Sequence, residues 1–389
     1  MRATRQPTPP GCRAALLLAA LLAVATCPTP ASAAEGAPRA DRPLTYHNDV
    51  DPKIPESIHV VRLSRTHPEF RFATTLGQGR TLGMSTVAAQ VRALAPALGQ
   101  PVAAVNGDYY DKSKDYPGCP RDLQICEGEL VSNPAGHNCF WIDSTGAPHL
   151  TNVFSRFRVV WPDGTETRTG LNRQRTNNEA MLYTAPIGPS TRTTGGREYV
   201  LEPAPGAAWL PLRAGQTCAA RIRASREAGD TPVDPGTAIL SLSPELAAGR
   251  AALAPGANLT LILETVPDVG GAAFAIGGGP TLVRDSKTPG TTGWVLMRHP
   301  HTALGWNKDY YFLVVVDGRQ IDLSLGMTFP ELASYMLKLG CEQAFALDGG
   351  GSATLWALGE VRNSPSEGQE RPAPNALVVL KRPARAVRK

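Results

Sequence analysis

Apolar residues along the chain follow two spacings, and the commoner one is the spacing of β-strands. Residues 58–63 alternate between apolar and polar side chains, and residues 310–317 form one nearly continuous apolar run. A run of that kind is typical of a strand that is covered on both faces. Further strand patterns lie at residues 101–105, 158–161, 259–264, 343–347 and 375–380. The chain is therefore expected to be rich in strands.

Two segments have helical spacing instead. In residues 85–98 the apolar side chains recur at helical intervals after a capping serine, and Gly99 follows the last turn. The second helix begins at a capping box formed by Thr328 and Glu331, and it ends at Gly340. Together these patterns predict an α+β fold, with mixed β-sheets and packed helices in a single large catalytic domain that carries an inserted excursion.

The chain divides into segments of different composition. The N-terminus has arginines, then an apolar run too short to span a bilayer, then small residues, which is the pattern of a signal peptide. We therefore expect a secreted or periplasmic protein with no membrane span after the signal is removed. The predicted segments are a signal peptide at 1–33, a loose leader at 34–57, the main domain at 58–381 with a subdomain or insertion at 165–250, and a basic disordered tail at 382–389.

Composition and charge exclude several classes of protein. Of the 389 residues 42% are hydrophobic and 19% charged, and Gly and Pro number 38 and 35 without any period, so the chain is globular and rich in turns. The formal net charge is +5, but the first 33 and last nine residues carry eight basic and no acidic side chains. The body between them is slightly acidic, so no nucleic-acid partner is expected.

Five cysteines lie beyond the predicted signal peptide, and after export they would meet an oxidising compartment. Cys119 and Cys126 are seven residues apart in a polar, turn-rich loop, and they are the best candidates for a disulfide bond. The odd number leaves at least one thiol free, and the connectivity among all five is open: Cys119, Cys126, Cys139, Cys218 and Cys341.

The strongest chemical signal is Asp348-Gly-Gly-Gly-Ser352, directly after a predicted buried strand. A rigid strand end holds the Asp348 carboxylate in place, and Gly350 and Gly351 let a ligand approach the backbone closely. The sequence does not match the serine-hydrolase elbow, because Ser352 lacks the required flanking glycines. We therefore expect Asp348 to be catalytic, with Gly350, Gly351 and Ser352 binding substrate.

A second carboxylate, Asp108, also follows a buried strand. Asn106 precedes it and two tyrosines follow, and aromatic rings beside a carboxylate suit a sugar ring. A simple Asn-Gly turn with the tyrosines in the core is the alternative. We expect Asp108 to be catalytic and Asn106 to bind substrate.

Two further segments could hold an anion. The run Ile276-Gly-Gly-Gly-Pro280 could bring the backbone of Gly278 and Gly279 close to a phosphate or a sugar, and it lacks the dinucleotide-binding pattern. Arg298 and His301 offer a guanidinium and an imidazole, of which the planar guanidinium suits a phosphodiester oxygen.

Taken in order, these motifs resemble those of the phosphodiester glycosidase family over residues 58–381. The resemblance rests on eight segments: residues 105–110, 170–173 with 182–184, 276–283, 299–305, 315–320, 326–333, 347–352 and 375–378. It implies hydrolysis of a sugar-1-phosphodiester at its glycosidic bond, releasing the sugar and a phosphomonoester.

The resemblance suggests roles for individual residues. Asp348 and Asp108 would supply a base or nucleophile and stabilise an oxocarbenium ion, and Arg298 and glycine N–H groups would hold the phosphate. Asn106, Asn172 and Ser352 would orient sugar hydroxyls. The expected partner is a phosphate-linked glycan or a small sugar-1-phosphodiester, with no cofactor and no metal. Two alternatives stay open, a non-catalytic glycan-binding protein of the cell surface and a metal-dependent phosphodiesterase that cuts the P–O bond.

Overall fold

The computed structural model describes residues 42–51, 53–207, 209–290 and 296–382. These residues form 22 β-strands and three α-helices. The strands of the first half are β1 Leu44–Asp51, β2 Glu56–Ser64, β3 Phe70–Thr74, β4 Gln100–Asn106, β5 Gln124–Cys126, β6 Glu129–Ser132, β7 Ala135–Ile142, β8 Pro148–Val160, β9 Glu166–Leu171, β10 Ala180–Tyr183 and β11 Arg197–Pro203. Those of the second half are β12 Thr217–Arg226, β13 Ala238–Leu242, β14 Asn258–Val266, β15 Ala275–Gly277, β16 Thr281–Arg284, β17 His301–Trp306, β18 Tyr310–Val316, β19 Gln343–Ala346, β20 Leu355–Ala357, β21 Glu360–Val361 and β22 Ala376–Lys381.

The α-helices are short and few. They are α1 Val87–Arg92, α2 Pro244–Ala248 and α3 Phe329–Lys338, with single 3₁₀ turns at Pro96–Leu98, Ala185–Ile187 and Gly350–Ser352. Strand makes up 44% of the structure and helix 9%. The α+β prediction is therefore wrong, and the protein is mainly β. The first predicted helix is much shorter than its apolar pattern because Pro96 interrupts it, and Thr86 rather than Ser85 caps it.

Two antiparallel sheets stack face to face and form a sandwich. The six-stranded sheet has the order β1-β2-β18-β17-β19-β16, and the five-stranded sheet has the order β21-β20-β4-β22-β3. A buried core with Val315, Phe345 and Leu377 fills the space between them. Helix α3 packs on the outer face of the first sheet and α1 on the outer face of the second. The sandwich brings β4 and β19, which the sequence places before the two candidate carboxylates, into one core.

A third sheet of eleven strands curls into a ring. Its order is β14-β12-β11-β13-β10-β9-β8-β7-β15-β5-β6, and an additional pairing of β14 with β8 closes the first seven strands on themselves. A large apolar cluster with Phe157, Tyr199 and Leu261 belongs to the strands of this ring. Residues 165–250, predicted as an insertion, supply β9 to β13, and whether they form a separate unit stays a prediction.

Helix α3 shows how local sequence defines an element. The Thr328 hydroxyl accepts the Glu331 N–H at 3.3 Å, and a Glu331 carboxylate oxygen accepts the Thr328 N–H at 2.8 Å, so the predicted capping box is confirmed. Leu332 and Met336 on one face are fully buried. Gly340, with φ of +84°, follows the last turn as predicted.

The segment boundaries at the N-terminus need correction. Residues 44–51, predicted to be a loose leader, form β1, which pairs with β2 along its whole length. The predicted signal peptide at 1–33, the first part of the leader at 34–41 and tail residues 383–389 lie outside the described residues. In the described part of the chain, no helix is long and apolar enough to cross a membrane.

Candidate active site

The two candidate carboxylates lie in turns that meet at one end of the sandwich. The Asp348 N–H donates to the Gly107 carbonyl at 3.0 Å, which joins the turn after β19 to the turn after β4. The Asn106 amide donates to the Asp348 carbonyl at 2.7 Å, and its oxygen accepts from the Thr302 hydroxyl at 2.6 Å and the Thr354 N–H at 3.0 Å. Asn106 is fully buried and joins the two sheets, and this burial does not fit the predicted contact with a substrate.

Asp348 is the accessible carboxylate of the pair. Its Oδ1 accepts the Gly349 N–H at 3.0 Å, and the residue is half-buried. Burial raises the pKa of Asp348, while the Ser352 hydroxyl, the Gly349 N–H, Arg371 and Lys112 act in the opposite direction. The Ser352 hydroxyl is buried near this carboxylate without a hydrogen bond of ordinary geometry to a protein group. Asp348 thus combines solvent access with a carboxylate of raised basicity.

Asp108 is sealed below the surface and is only 1% exposed. Its Oδ2 accepts the Asp122 N–H at 2.8 Å, whereas Oδ1 is buried without a partner in the described structure. Burial and the nearby Asp122 carboxylate raise the pKa of Asp108 to about 8. A Cβ at Gly277 would lie 2.6 Å from Oδ2, so β15 closes directly over this side chain. The prediction that Asp108 touches substrate does not fit this burial.

Tyr109 and Tyr110 lie beside Asp348. Burial first, and then the Asp348 carboxylate, raise the pKa of each phenol, that of Tyr109 to about 12. The Arg121 guanidinium stacks 4.3 Å from the centre of the Tyr109 ring. The sequence predicts these tyrosines beside Asp108, and the structure places them beside the Asp348 carboxylate as well.

Three basic side chains lie close to the Asp348 turn and a fourth lies against the neighbouring Tyr109, and none of the four was among the predicted site residues: Lys112, Arg319, Arg371 and Arg121. Two of these side chains come closest to the backbone of the turn. A Cβ atom added at Gly350 would lie 3.1 Å from the Arg319 guanidinium, and one added at Gly351 would lie 2.3 Å from the Arg371 guanidinium. Arg371 forms an ion pair with Glu367. Only Arg319 stands in a motif that carries the family resemblance, so it is the one residue of the four that sequence reasoning could have found.

Arg298 and Asn172 have structural contacts instead. The Arg298 guanidinium donates to Glu56 at 2.7 Å, to the Gly326 carbonyl at 2.8 Å and to Glu331. A guanidinium held by two carboxylates does not fit the predicted role of phosphate ligand. Asn172 is fully buried and bonds the Val131 carbonyl and both the hydroxyl and N–H of Thr184. Both side chains thus complete the hydrogen bonding of buried or half-buried groups. These groups are distant along the chain, so the sequence could not reveal the contacts.

The glycine N–H groups are mostly used within the fold. Gly278 donates to the Asn138 carbonyl at 2.9 Å, Gly279 to the Ala346 carbonyl at 2.7 Å and Gly350 to the Pro300 carbonyl at 2.9 Å. The Gly351 N–H donates to no protein group in the part of the chain that the structure describes. Of the four glycines predicted to bind substrate, only Gly351 therefore keeps an N–H group without a protein partner among the described residues.

His301 borders the site as a neutral side chain. Its Nε2 lies 2.8 Å from the Met327 carbonyl, and its Nδ1 would lie 3.3 Å from a Cβ at Gly349. Burial lowers the pKa of His301 to about 4, and the Nε2–H bond to the carbonyl only partly offsets this. His301 is thus uncharged at neutral pH and is available beside the Asp348 turn as a hydrogen-bond acceptor.

The predicted Cys119–Cys126 disulfide is absent. All five described cysteines are free thiols. The Cys119 thiol donates to the Asn172 carbonyl at 3.4 Å and the Cys126 thiol to the Thr74 carbonyl at 3.2 Å, so each is held by a different part of the fold. Within the described ranges, no group of three or more His, Cys, Asp or Glu side chains is arranged to hold a metal ion.

The fold and the site define a mainly β protein in which the half-buried Asp348 carboxylate lies among basic and aromatic side chains. Residues 219–380 match the family model described as phosphodiester glycosidase. This match supports the resemblance to the phosphodiester glycosidase family that the sequence motifs indicate. The matched stretch contains Asp348, Arg319 and Arg371, whereas Asp108 lies outside it.

Individual relatives are more distant or only partly covered. The chain is 37% identical over 114 residues to the SPbeta prophage-derived uncharacterized protein YomE of Bacillus subtilis (strain 168), and the match covers 28% of this chain and 18% of that protein. The chain therefore spans less than a fifth of the length of this curated relative.

Solved structures agree on the fold. A hypothetical protein from Synechocystis has a TM-score of 0.67 at 16% identity, with 86% of this chain and 61% of that chain covered. A protein of Burkholderia pseudomallei K96243, whose name describes it as exported, has a TM-score of 0.66 at 21% identity, with 84% and 74% covered. The double sheet and ring thus recur in other proteins.

Proposed function

We propose that this protein hydrolyses the glycosidic bond of a sugar-1-phosphodiester, of the type formed by N-acetylglucosamine 1-phosphate, and releases the sugar and a phosphomonoester. The observation that carries the proposal is the half-buried Asp348 carboxylate among Arg121, Arg319, Arg371 and Lys112. A phosphodiester supplies the negative charge that these cations attract, and a sugar ring supplies the faces and hydroxyls that Tyr109 and Tyr110 can contact.

The leaving group explains why the Asp348 carboxylate needs no second carboxylic acid as a proton donor. An ordinary glycosidase needs an acid to protonate a poor leaving group. A phosphomonoester has a second pKa of about 6, by analogy with phosphorylated side chains, and can leave as an anion. Arg319 and Arg371 would then stabilise the charge that develops on the phosphate oxygens as the C1–O bond breaks.

Asp348 is assigned the base. It would accept a proton from the attacking water as the water oxygen bonds to the anomeric carbon, and the electron pair of the broken C1–O bond would stay on the phosphate. Attack by the carboxylate itself, followed by hydrolysis, is the other course open to the same group. In both courses Asp348 must be ionised. Because its pKa is raised, activity should begin to fall with decreasing pH at a higher pH than the ordinary pKa of an aspartate would set.

Asp108 is assigned a positioning role rather than contact with substrate. With a pKa of about 8 it carries a proton at neutral pH, so it adds no second negative charge near Asp348. Its backbone N–H donates to the Asn375 amide oxygen at 2.9 Å and its Oδ2 accepts from Asp122, which hold the turn that carries Tyr109.

We also propose that the protein acts outside the cytoplasm. The N-terminal signal pattern and the name of the Burkholderia relative support export. Phosphate-linked glycans of a cell surface or capsule are the polymers that an exported enzyme of this specificity would meet.

The test is a product assay on the benzyl phosphodiester of N-acetylglucosamine 1-phosphate, read by ¹H and ³¹P NMR. Free N-acetylglucosamine with benzyl phosphate is the expected result, and it should disappear in Asp348→Asn. N-acetylglucosamine 1-phosphate with benzyl alcohol would indicate cleavage of a P–O bond instead. Binding without any product, across a panel of sugars and both anomers, would indicate a glycan-binding protein.

A further inference from the structure

A second pocket opens at the end of the sandwich opposite Asp348. Strand β18 runs from Tyr310, at the pocket end, to Val316, just before the turn that carries Arg319. Strand β22 likewise connects the two ends: Asn375, which bonds Asp108, precedes it, and Arg382, at the pocket, follows it. We call this second pocket the far-end pocket. It has a volume of about 350 Å³, within the range of small-molecule sites.

The floor of the far-end pocket is apolar and aromatic. Phe70, Phe72, Phe274 and Tyr311 line it, together with Leu63. Phe72 packs edge-on against Tyr311, with ring centres 4.9 Å apart, and against Phe274 at 5.7 Å. These rings belong to the core between the sheets, so the pocket is an opening into a rigid, preformed aromatic cluster.

The rim of the far-end pocket is cationic. Arg65, Arg71 and Arg382 line it, against one carboxylate, Asp143. Arg65 lies 5.2 Å from the centre of the Tyr311 ring, so its charge sits directly at the aromatic floor. Arg71 donates to Glu127 at 3.0 Å, whereas the Arg382 guanidinium has no ionic or hydrogen-bond partner in the described part of the chain.

One of the residues that line the far-end pocket carries an unpartnered polar atom. Nδ1 of His67, a lining residue, is buried and has no hydrogen-bond partner among the described residues. A buried imidazole nitrogen without a partner is costly, and a ligand that accepts or donates there would remove the cost. The His67 ring contacts Phe70, with ring centres 5.5 Å apart, so the nitrogen lies next to the aromatic floor.

We propose that the far-end pocket binds a small organic anion with a flat apolar body and a carboxylate head. The body would lie on the aromatic floor, and the carboxylate would be held by Arg382 and Arg65 with Nδ1–H of His67. None of the residues that line the far-end pocket belongs to the Asp348 site, so this pocket is a separate binding site.

Isothermal titration calorimetry with 2-naphthoate tests the proposal on the purified protein. We expect one site per chain, with affinity at least about tenfold above that of uncharged 2-naphthol, because a charge-assisted hydrogen bond is roughly twice as strong as a neutral one. Arg382→Gln should weaken 2-naphthoate binding about threefold to tenfold. The matched control is Lys381→Gln, an exposed neighbour outside the pocket, which should change it less than twofold.

Two further variants separate this pocket from the active site and from general charge. His67→Leu should weaken binding, and Arg319→Gln at the Asp348 site should leave it unchanged. Loss of binding in Arg319→Gln would overturn the proposal, because the anion would then occupy the active site. Equal affinity for 2-naphthol, equal effects of Lys381→Gln and Arg382→Gln, or no saturable binding would also overturn it.

Discussion

The turns after β4 and after β19 differ although their sequences are alike. Each follows a buried strand that ends in a carboxylate beside glycine, and the two turns touch through the Asp348–Gly107 hydrogen bond. Asp108 in the first is sealed under β15 and holds a proton up to about pH 8, whereas Asp348 in the second faces solvent among cations. The comparison teaches that what packs over a strand end, and not the strand end itself, decides whether its carboxylate can react.

The largest expected effect comes from Asp348→Asn. The substitution keeps the shape of the side chain but removes its basicity, so we expect kcat to fall at least about a hundredfold. Steady-state kinetics on the phosphodiester substrate measure this, and an unchanged thermal unfolding temperature shows that the fold is intact. A folded variant with wild-type activity would remove Asp348 from the chemistry.

The next largest effect concerns the packing over the Asp108 turn and the Asp348 turn. Alanine substitutions at two glycines, Gly277 and Gly350, test it. An alanine at Gly277 would bring its Cβ to 2.5 Å from the Asp122 Cβ and 2.6 Å from Asp108, so unfolding free energy should drop by about 1–3 kcal/mol. At Gly350 the neighbour is the mobile end of Arg319 at 3.1 Å, and the φ of +61° costs about 1 kcal/mol.

Urea unfolding of Gly277→Ala and Gly350→Ala measures both effects, and kinetics completes the comparison. Gly277→Ala should affect mainly stability and Gly350→Ala mainly activity. If Gly350→Ala were less stable than Gly277→Ala, this would contradict the view that the Asp108 turn is the more tightly covered of the two.

A smaller effect is expected for the cations at the open turn. Arg319→Gln should raise KM for the phosphodiester about tenfold, since it removes one charge-assisted contact to phosphate. Arg298→Gln is the control, because that guanidinium pairs with Glu56 and Glu331 and should affect stability rather than KM. If Arg298→Gln raised KM more than Arg319→Gln, the assignment of the phosphate site would be wrong.

The smallest effect on activity is expected from Asp108→Asn. Because Asp108 is protonated at neutral pH and buried, the amide should cost less than about tenfold in kcat at pH 6 to 7, well below the loss in Asp348→Asn. A loss equal to that of Asp348→Asn would return Asp108 to the catalytic role that the sequence suggests.

The same variant should change how stability depends on pH. The folded protein keeps the Asp108 proton up to about pH 8, whereas an unfolded aspartate releases it near pH 4, so this group lowers wild-type stability as pH rises between these values. Asp108→Asn cannot titrate and should flatten that slope. Urea unfolding at pH 5, 7 and 9 checks the difference between the two proteins, and parallel slopes would contradict the raised pKa.

Much of the local structure was predictable from the sequence. The capping box at Thr328, the strands around residues 58–63 and 310–317 and the turn at Asp348 all appear where the pattern places them. Each depends on neighbours within a few positions along the chain. The fold class was not predictable in this way, because the excess of strand over helix depends on pairings such as β14 with β8, whose residues are about 100 positions apart.

The sequence by itself determined which elements form and that two carboxylates follow buried strands, since spacing, capping and glycine act locally. Only the tertiary structure decided that Asp108 is covered, that Arg298 is held by two glutamates, and that Arg319 and Arg371 surround Asp348 instead. These outcomes depend on solvent access and on the partners that distant segments supply, and neither quantity is encoded in the spacing of residues along the chain.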